Sequence, residues 1–367
     1  MNQKTNENTT TKFEFSVIEG PTRIIPDIIE KKLSGKEYVN YGEDNKLPEY
    51  LWNLYLKSAI LQSIINGTVD FASGNGAILS EFIMKFENNA NKEGETLEEI
   101  VRKIFVDYNI YGGFAMNVIY DMEGKVAEIY WLDVQNVRLN EDGDKAWYSE
   151  KWGQWGAKAI EYPVWKPGKT YKSCIFYFKG HLSRGVYPIP RYVGALADVE
   201  TSTEIGKFHL NNILNNLEPS AIISFNNGVP SKSEQKEIEK KIHEKLAGAN
   251  NAGRFMVAFN DNKDNAVSIE RLTEDHMDEK FQTLQKSTRE NIFIANRATP
   301  ALFGLNPENN GFSKEEFLEA FELYNKTVVI PMQKDVQRCF DKIFGIDGSI
   351  LFNKFQLEDT VENKPAE

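Results

Sequence analysis

Apolar positions recur at helical spacing from about Pro48 to Phe71, where Leu51, Leu54, Tyr55, Ile60, Ile64 and Ile65 share one face and Ser73-Gly74-Asn75-Gly76 closes the run. A second helix is predicted from Thr96, which with Glu99 forms a capping box, and carries Leu97, Ile100, Val101, Ile104, Phe105 and Tyr108 toward Gly112-Gly113. From Phe114 to Phe178 the period shortens. Runs such as Ala115–Asp121, Lys125–Leu132 and Cys174–Lys179 alternate like strands and are broken by Gly, Asp and Pro.

Beyond Pro190 the helical period returns over a longer stretch, to Leu217, through Val193, Leu196, Val199, Phe208, Ile213 and Leu214. Pro188 and Pro190 precede it and Glu218-Pro219 closes it; Gly194 and Gly206 within it suggest close approach to a neighbouring backbone. A matching pattern from Thr273 to Thr299 uses Met277, Phe281, Leu284, Ile292 and Ala295 and ends at Pro300. Each helix would be about 40 Å long at the α-helical rise. Between them lies a small βαββ-like insertion: a strand Ser220–Phe225, a helix Ser233–Gly248 with Ser231 as N-cap, a strand Gly253–Phe259 and a short Val267–Leu272. A Pro/Gly/Asn-rich loop from Pro300 to Phe312 leads into a last helix, Ser313 to about Phe344, interrupted by Pro331. The fold class is α+β, with polar ends at residues 1–12 and 358–367 that read as disordered tails.

Charge and composition narrow the functional classes. The 367 residues carry 43 Lys+Arg against 54 Asp+Glu, a formal charge of -11, which disfavours broad gripping of nucleic acid while leaving room for a local basic patch. A 41% hydrophobic content supports two or three folding units. Cys174 and Cys339 lie far apart and read as free thiols of a reducing compartment. With no apolar leader at residues 1–12 and no long apolar run, the chain reads as soluble and intracellular.

Motifs for chemistry fail on their own requirements. Pro163–Thr170 ends like a phosphate loop, but Pro163 stands where the first glycine is needed and a strand-like run follows in place of a helix. His243-Glu244 lacks a second metal ligand one turn on, and neither a CxxC pair nor a GxSxG elbow occurs. No catalytic, cofactor or metal residue is therefore assigned, although dispersed carboxylate pairs are too common here to sort by spacing. Glu274, Asp275, Asp278 and Glu279 open the second long helix, where carboxylates interact favourably with the helix dipole. The insertion helix alternates Lys232, Lys236, Lys240, Lys241 and Lys245 with Glu234, Glu237, Glu239 and Glu244, a solvated ion-paired face or a docking surface.

The order of elements resembles the portal protein family of tailed bacteriophages over roughly Phe13 to Phe344. The segments that carry the likeness are Gly185-Val186-Tyr187-Pro188-Ile189-Pro190 before the first long helix, Ala249-Asn250-Asn251-Ala252-Gly253 in the insertion, and Arg297-Ala298-Thr299-Pro300-Ala301-Leu302-Phe303-Gly304 after the second long helix. The resemblance implies a non-enzymatic ring, typically of twelve subunits, at one vertex of the virion, assembled in the host cytoplasm. It implies a wing at 13–187, a first stem helix at 188–217, a clip at 218–270, a second stem helix at 271–299, a tunnel loop at 300–313 and a C-terminal helical wing or short crown at 314–357. The implied partners are further copies of the chain, the terminase large subunit, a head-tail adaptor, the major capsid protein or scaffold, and double-stranded DNA passing non-specifically, with no membrane and no cofactor.

Within that scheme the tunnel loop presents Leu302, Phe303, Leu305, Asn306, Asn309 and Asn310 near the DNA, flanked by Arg297 and Lys314 as phosphate contacts. Lys232, Lys236, Glu237, Lys240, Lys241, Glu244 and Lys245 form the clip's docking face, and Glu274, Asp275, Asp278 and Glu279 line the channel, where acidity would let DNA slide. On the residues alone, another oligomeric virion or secretion-ring component and an enzyme with a dispersed site stay open.

Overall fold

Ser58 divides what the apolar spacing predicts as one helix. Its backbone leaves the helical region (φ -93°, ψ 106°) and its hydroxyl accepts the Leu61 amide at 3.3 Å, so it ends α1 (Leu47–Lys57) and caps α2 (Ala59–Ser73). The computed structural model describes residues 28–215, 221–225, 231–234, 236–238, 255–259, 277–304 and 314–353. Short strands β1 (Lys31–Lys32) and β2 (Val39–Asn40) pair antiparallel ahead of α1. The helix α3 (Leu97–Tyr111) starts on the expected capping box, with both halves formed by Thr96 and Glu99, and stops at Gly112 in the left-handed region (φ 82°). Its predicted apolar face is the observed one: Leu97, Ile100, Val101, Ile104 and Phe105 are buried.

The three β-like runs become one antiparallel sheet. The central strand is β4 (Gly113–Tyr120), flanked by β5 (Val126–Leu132) and β9 (Ser173–Lys179). A second antiparallel sheet joins β6 (Val137–Leu139), β7 (Lys145–Tyr148) and β8 (Ile160–Pro163). As the sequence requires, the Pro163–Thr170 stretch runs from a strand toward a strand, without the helix a phosphate loop needs.

The two long helices are present, and the ends predicted at Leu217 and Thr273 lie outside the described residues. A single 3-10 turn, Val193–Ala195, precedes α4 (Leu196–Asn215), and α5 (Met277–Ala295) lies against it. The described part of each is about 30 Å long. They run antiparallel: near one end Asn291 Nδ2 donates to Asp198 Oδ1 at 3.0 Å, and toward the other the His209 and Phe281 rings are 6.4 Å apart. Among the described residues the expected close backbone approach at Gly194 and Gly206 is not made, because a Cβ at either position would meet nothing within 4 Å.

In the insertion, β10 (Ala221–Phe225) and β11 (Phe255–Phe259) pair parallel, residue for residue, which demands a crossover between them. Helical turns occupy 232–234 and 236–238 on that crossover, and Ser231 N–H donates to Glu234 Oε2 at 2.9 Å. The predicted strand Val267–Leu272 and the later part of the insertion helix lie outside the described residues.

Pro331 does not break the last helical stretch. After α6 (Lys314–Tyr324) the ladder widens into a π turn, Asn325–Val329, in which the Ile330 amide bonds to the Asn325 carbonyl, and α7 (Ile330–Phe344) follows with Pro331 in its first turn. The C-terminal region is not helical throughout. After Gly345 the chain adds β12 (Ile350–Phe352), antiparallel to β3 (Ala77–Leu79), a pairing of three residues that is too short to show a period in sequence. One buried cluster spans α1, α2, α3, the β4 sheet, the start of α4, the end of α5 and α7.

Candidate functional site

Three buried tyrosines fix the junction where the α+β half hands the chain to α4. The Tyr187 ring stacks on Tyr41 (centroids 4.2 Å apart, planes 7°), and its hydroxyl accepts the Leu139 amide at 3.0 Å. Tyr41 donates to the Pro188 carbonyl and Tyr192 to the Ile110 carbonyl, both at 2.8 Å. Burial raises the phenol pKa of all three above the ordinary range, so they remain neutral donors. The Gly112-Gly113 pair does more than stop α3. A Cβ on Gly112 would sit 2.1 Å from the Ile189 carbonyl oxygen, and one on Gly113 would sit 2.3 Å from that of Phe178. Only glycine lets the Pro188–Pro190 segment lie against the end of α3.

A second constellation anchors the segment that follows α5. A 3-10 turn, Pro300–Phe303, ends at Gly304 in the left-handed region (φ 80°). Leu302 is buried, and Phe303 packs edge-on to Phe71 of α2 and Tyr324 of α6, with Phe293 of α5 at 6.2 Å. The ring lies so close to α2 that a Cβ on Gly67 would be 2.8 Å from it. Beside it the Thr68 and Tyr324 hydroxyls share a hydrogen bond of 2.6 Å. Leu302 and Phe303 thus pack against the core at the start of the loop. Gly67 in the interior of α2 was the sequence signal for this contact, since a helix-interior glycine costs about 1 kcal/mol and is kept where close packing requires it.

Among the described residues, the remaining sequence-nominated ones are not gathered into one pocket. Arg297 and Lys314 are exposed on either side of the loop. Leu305, Asn306, Asn309 and Asn310 lie outside the described residues, as do Lys240, Lys241, Glu244, Lys245, Glu274 and Asp275. Asp278 and Glu279 occupy the first turn of α5. Lys232, Lys236 and Glu237 are exposed. Among the described residues no group of His, Cys, Asp and Glu could hold a metal ion, and no helix is long and apolar enough to cross a membrane. Cys174 and Cys339 are buried free thiols whose pKa is pushed up to about 12 by desolvation, unsuited to nucleophilic chemistry.

The fold is shared with solved structures of phage-like particles. A chain in the virion of a native gene transfer agent particle matches with a TM-score of 0.55 at 15% identity, over 83% of this chain and 82% of that one. A chain in the neck of a native gene transfer agent particle computed with C12 symmetry gives 0.56 at 14% identity, over 84% and 85%. An HK97 family phage portal protein from Corynebacterium diphtheriae gives 0.50 at 12% identity, over 83% and 94%. No curated protein sequence matches. These likenesses show a shared mixed helix-and-sheet fold. A sequence model described as "Phage portal protein" matches residues 83–367, and the chain belongs to that family. Its place is accordingly the portal vertex of the virion.

Proposed function

We propose that copies of this chain close into a ring, of twelve in the simplest case, whose central channel passes double-stranded DNA into the capsid during packaging and out during ejection. The observation that carries this reading, beside family membership, is the state of the α4–α5 pair. Gln282 to Ser287 are all exposed, as are Gly206, Lys207, His209 and Leu210 on the opposing helix. Two 30 Å helices cannot bury both sides of themselves in a two-helix stalk, and rotational symmetry supplies the missing neighbours. The open space at Gly194 and Gly206 leaves room for another backbone there.

In this reading α4 and α5 are the stem, the β10–β11 unit with its Lys/Glu-rich crossover is the clip that meets the terminase large subunit and later a head-tail adaptor, and residues 300–313 are the tunnel loop held by Phe303. The acidic start of α5 lines the bore and disfavours retention of phosphate. The ring acts as a conduit without catalysis of its own, and the motor is a separate protein. Negative-stain images and mass photometry of the purified full-length protein test the reading: closed rings with a central channel support it. A strictly monomeric mass at micromolar concentration sinks it.

A further inference from the structure

In a chain of charge -11, six cationic side chains surround one cleft. Lys179 at the end of β9, Arg191 ahead of α4, Arg297 just past α5, Lys326 in the π turn, and Lys334 and Arg338 on α7 all line a cavity of about 850 Å³, whose one carboxylate is Asp335. That carboxylate is already engaged: Tyr108 donates to it at 2.6 Å and Arg338 pairs with it. Lys326 pairs with Glu322. Among the described residues, Lys179, Arg191, Arg297 and Lys334 form no ion pair. Four uncompensated cations in a concave site focus a positive potential far stronger than the same charges spread over a convex surface.

Two backbone features support a function for this cleft. Arg297 adopts the left-handed conformation (φ 54°) at the end of α5, where the Arg297 amide bonds to Ile294 O and the Ala298 amide to Phe293 O, both at 2.9 Å. This is a Schellman cap, whose left-handed position ordinarily takes glycine because a side chain there is strained. The arginine occupies a position that its backbone disfavours, and its side chain lines the cleft. The π turn that accommodates Pro331 also lines the cleft, and such turns are frequent at functional sites.

We infer that this cleft binds the phosphodiester backbone of double-stranded DNA. The inference rests on the portal reading for the supply of DNA, and it places a phosphate contact at the head of the tunnel loop, on the protein side of Arg297. A lone arginine beside an acidic bore would be a weak contact; four unpaired cations from four stretches of chain, Lys179, Arg191, Arg297 and Lys334, form a site. It grips no particular sequence, because fixed cations recognise phosphate and not base edges.

The test uses the assembled full-length protein and a short fluorescently labelled DNA duplex, with anisotropy measured across a salt series. The variant Arg297→Gly with Lys334→Gln removes two charges while giving the cap the residue it prefers, so the fold is retained. Each phosphate contact contributes about 0.9 to the slope of log K against log salt, so the double variant should bind more weakly and with a slope shallower by about 2. Unchanged affinity and slope, or no binding by the unaltered ring, overturns the inference. Mass photometry of the same samples separates the two readings: failure of the unaltered protein to form rings removes the portal reading itself. Loss of rings in the variant with DNA affinity unchanged overturns the DNA site and assigns the cleft to an acidic surface of a second copy.

Discussion

The Glu30 carboxylate straddles the backbone ahead of Pro188, accepting the Val186 amide at 2.7 Å and the Tyr187 amide at 2.8 Å, and Gly185 makes room for it: a Cβ on Gly185 would lie 2.2 Å from Oε1. Hydrogen bonds to an ionised acceptor are each worth about 1.5–3 kcal/mol. Gly185→Ala should therefore displace the carboxylate far enough to lose one of the two bonds and destabilise the protein by about 2 kcal/mol. Glu30→Gln, which retains one acceptor oxygen and turns an amide toward the other N–H, should cost about as much. The two losses remove one interaction, so the double variant should be less destabilised than their sum. Additive losses in thermal or urea melts would show that Gly185 serves something other than Glu30.

A second relation concerns Gly67 and Phe303. Glycine to alanine in the middle of a helix ordinarily stabilises by about 1 kcal/mol. At Gly67 the sign should reverse, because the added methyl would lie 2.8 Å from the Phe303 ring. The expected loss is about 1–3 kcal/mol, the range for overpacking. Combining Gly67→Ala with Phe303→Leu should recover part of it. If Gly67→Ala raises the melting temperature, Phe303 does not seat on α2 and the loop is not anchored as described.

How much of this was legible in the sequence depends on the length of each signal. The α3 helix, with a capping box, five buried apolar positions and a glycine stop, could be read to within a residue or two, and so could the strands β4, β5 and β9. The break at Ser58 was hidden because apolar spacing continues through it, and only the serine's cap distinguishes two helices from one. Pro331 misled in the other direction, since a π turn before it absorbs the missing amide. The candidate site was less visible still. The portal landmark around Tyr187 could be recognised as a motif, but its physical cause lies in Glu30, Tyr41 and Gly112, all distant in sequence. The cationic cleft draws on residues 179 to 338 and has no local pattern at all.

Asp107 gives the protein a pH dependence opposite in sign to that of a salt-bridged acid. It is buried on α3, and desolvation, followed by the nearby Asp133 carboxylate, raises its pKa well above 3.8, against the opposing hydrogen bond from Trp131 Nε1 at 2.9 Å. Between the unfolded and folded values the native state holds the extra proton. The contribution is therefore fully present below about pH 4 and is lost as pH rises through the folded value. Asp133 is raised as well, chiefly by its own burial. Asp107→Asn keeps an oxygen for Trp131 and removes the charge. Relative to the parent it should gain stability at pH 8, on the order of 1 kcal/mol or more, and little at pH 4. A difference between variant and parent that does not change with pH would exclude a proton held by Asp107.

The ring reading makes its sharpest demand on two leucines. Leu210 of α4 is 54% exposed and Leu284 of α5 is 43% exposed in the protomer, both on the part of the helix pair that lies beyond the buried cluster. In an isolated chain, replacing an exposed leucine with aspartate changes stability by about 0.5 kcal/mol or less. In a closed ring the same side chains would be buried against a neighbour, where each loses about 2 kcal/mol of apolar burial and leaves a carboxylate without a partner. A ring repeats its interface at every subunit, so a modest loss per contact becomes a large loss of assembly. Leu210→Asp with Leu284→Asp should accordingly leave the protomer's melting behaviour nearly intact while shifting mass photometry from rings toward monomers. Rings of undiminished abundance would mean that these helices face solvent or the bore, and the subunit contacts would then have to lie elsewhere on the protomer.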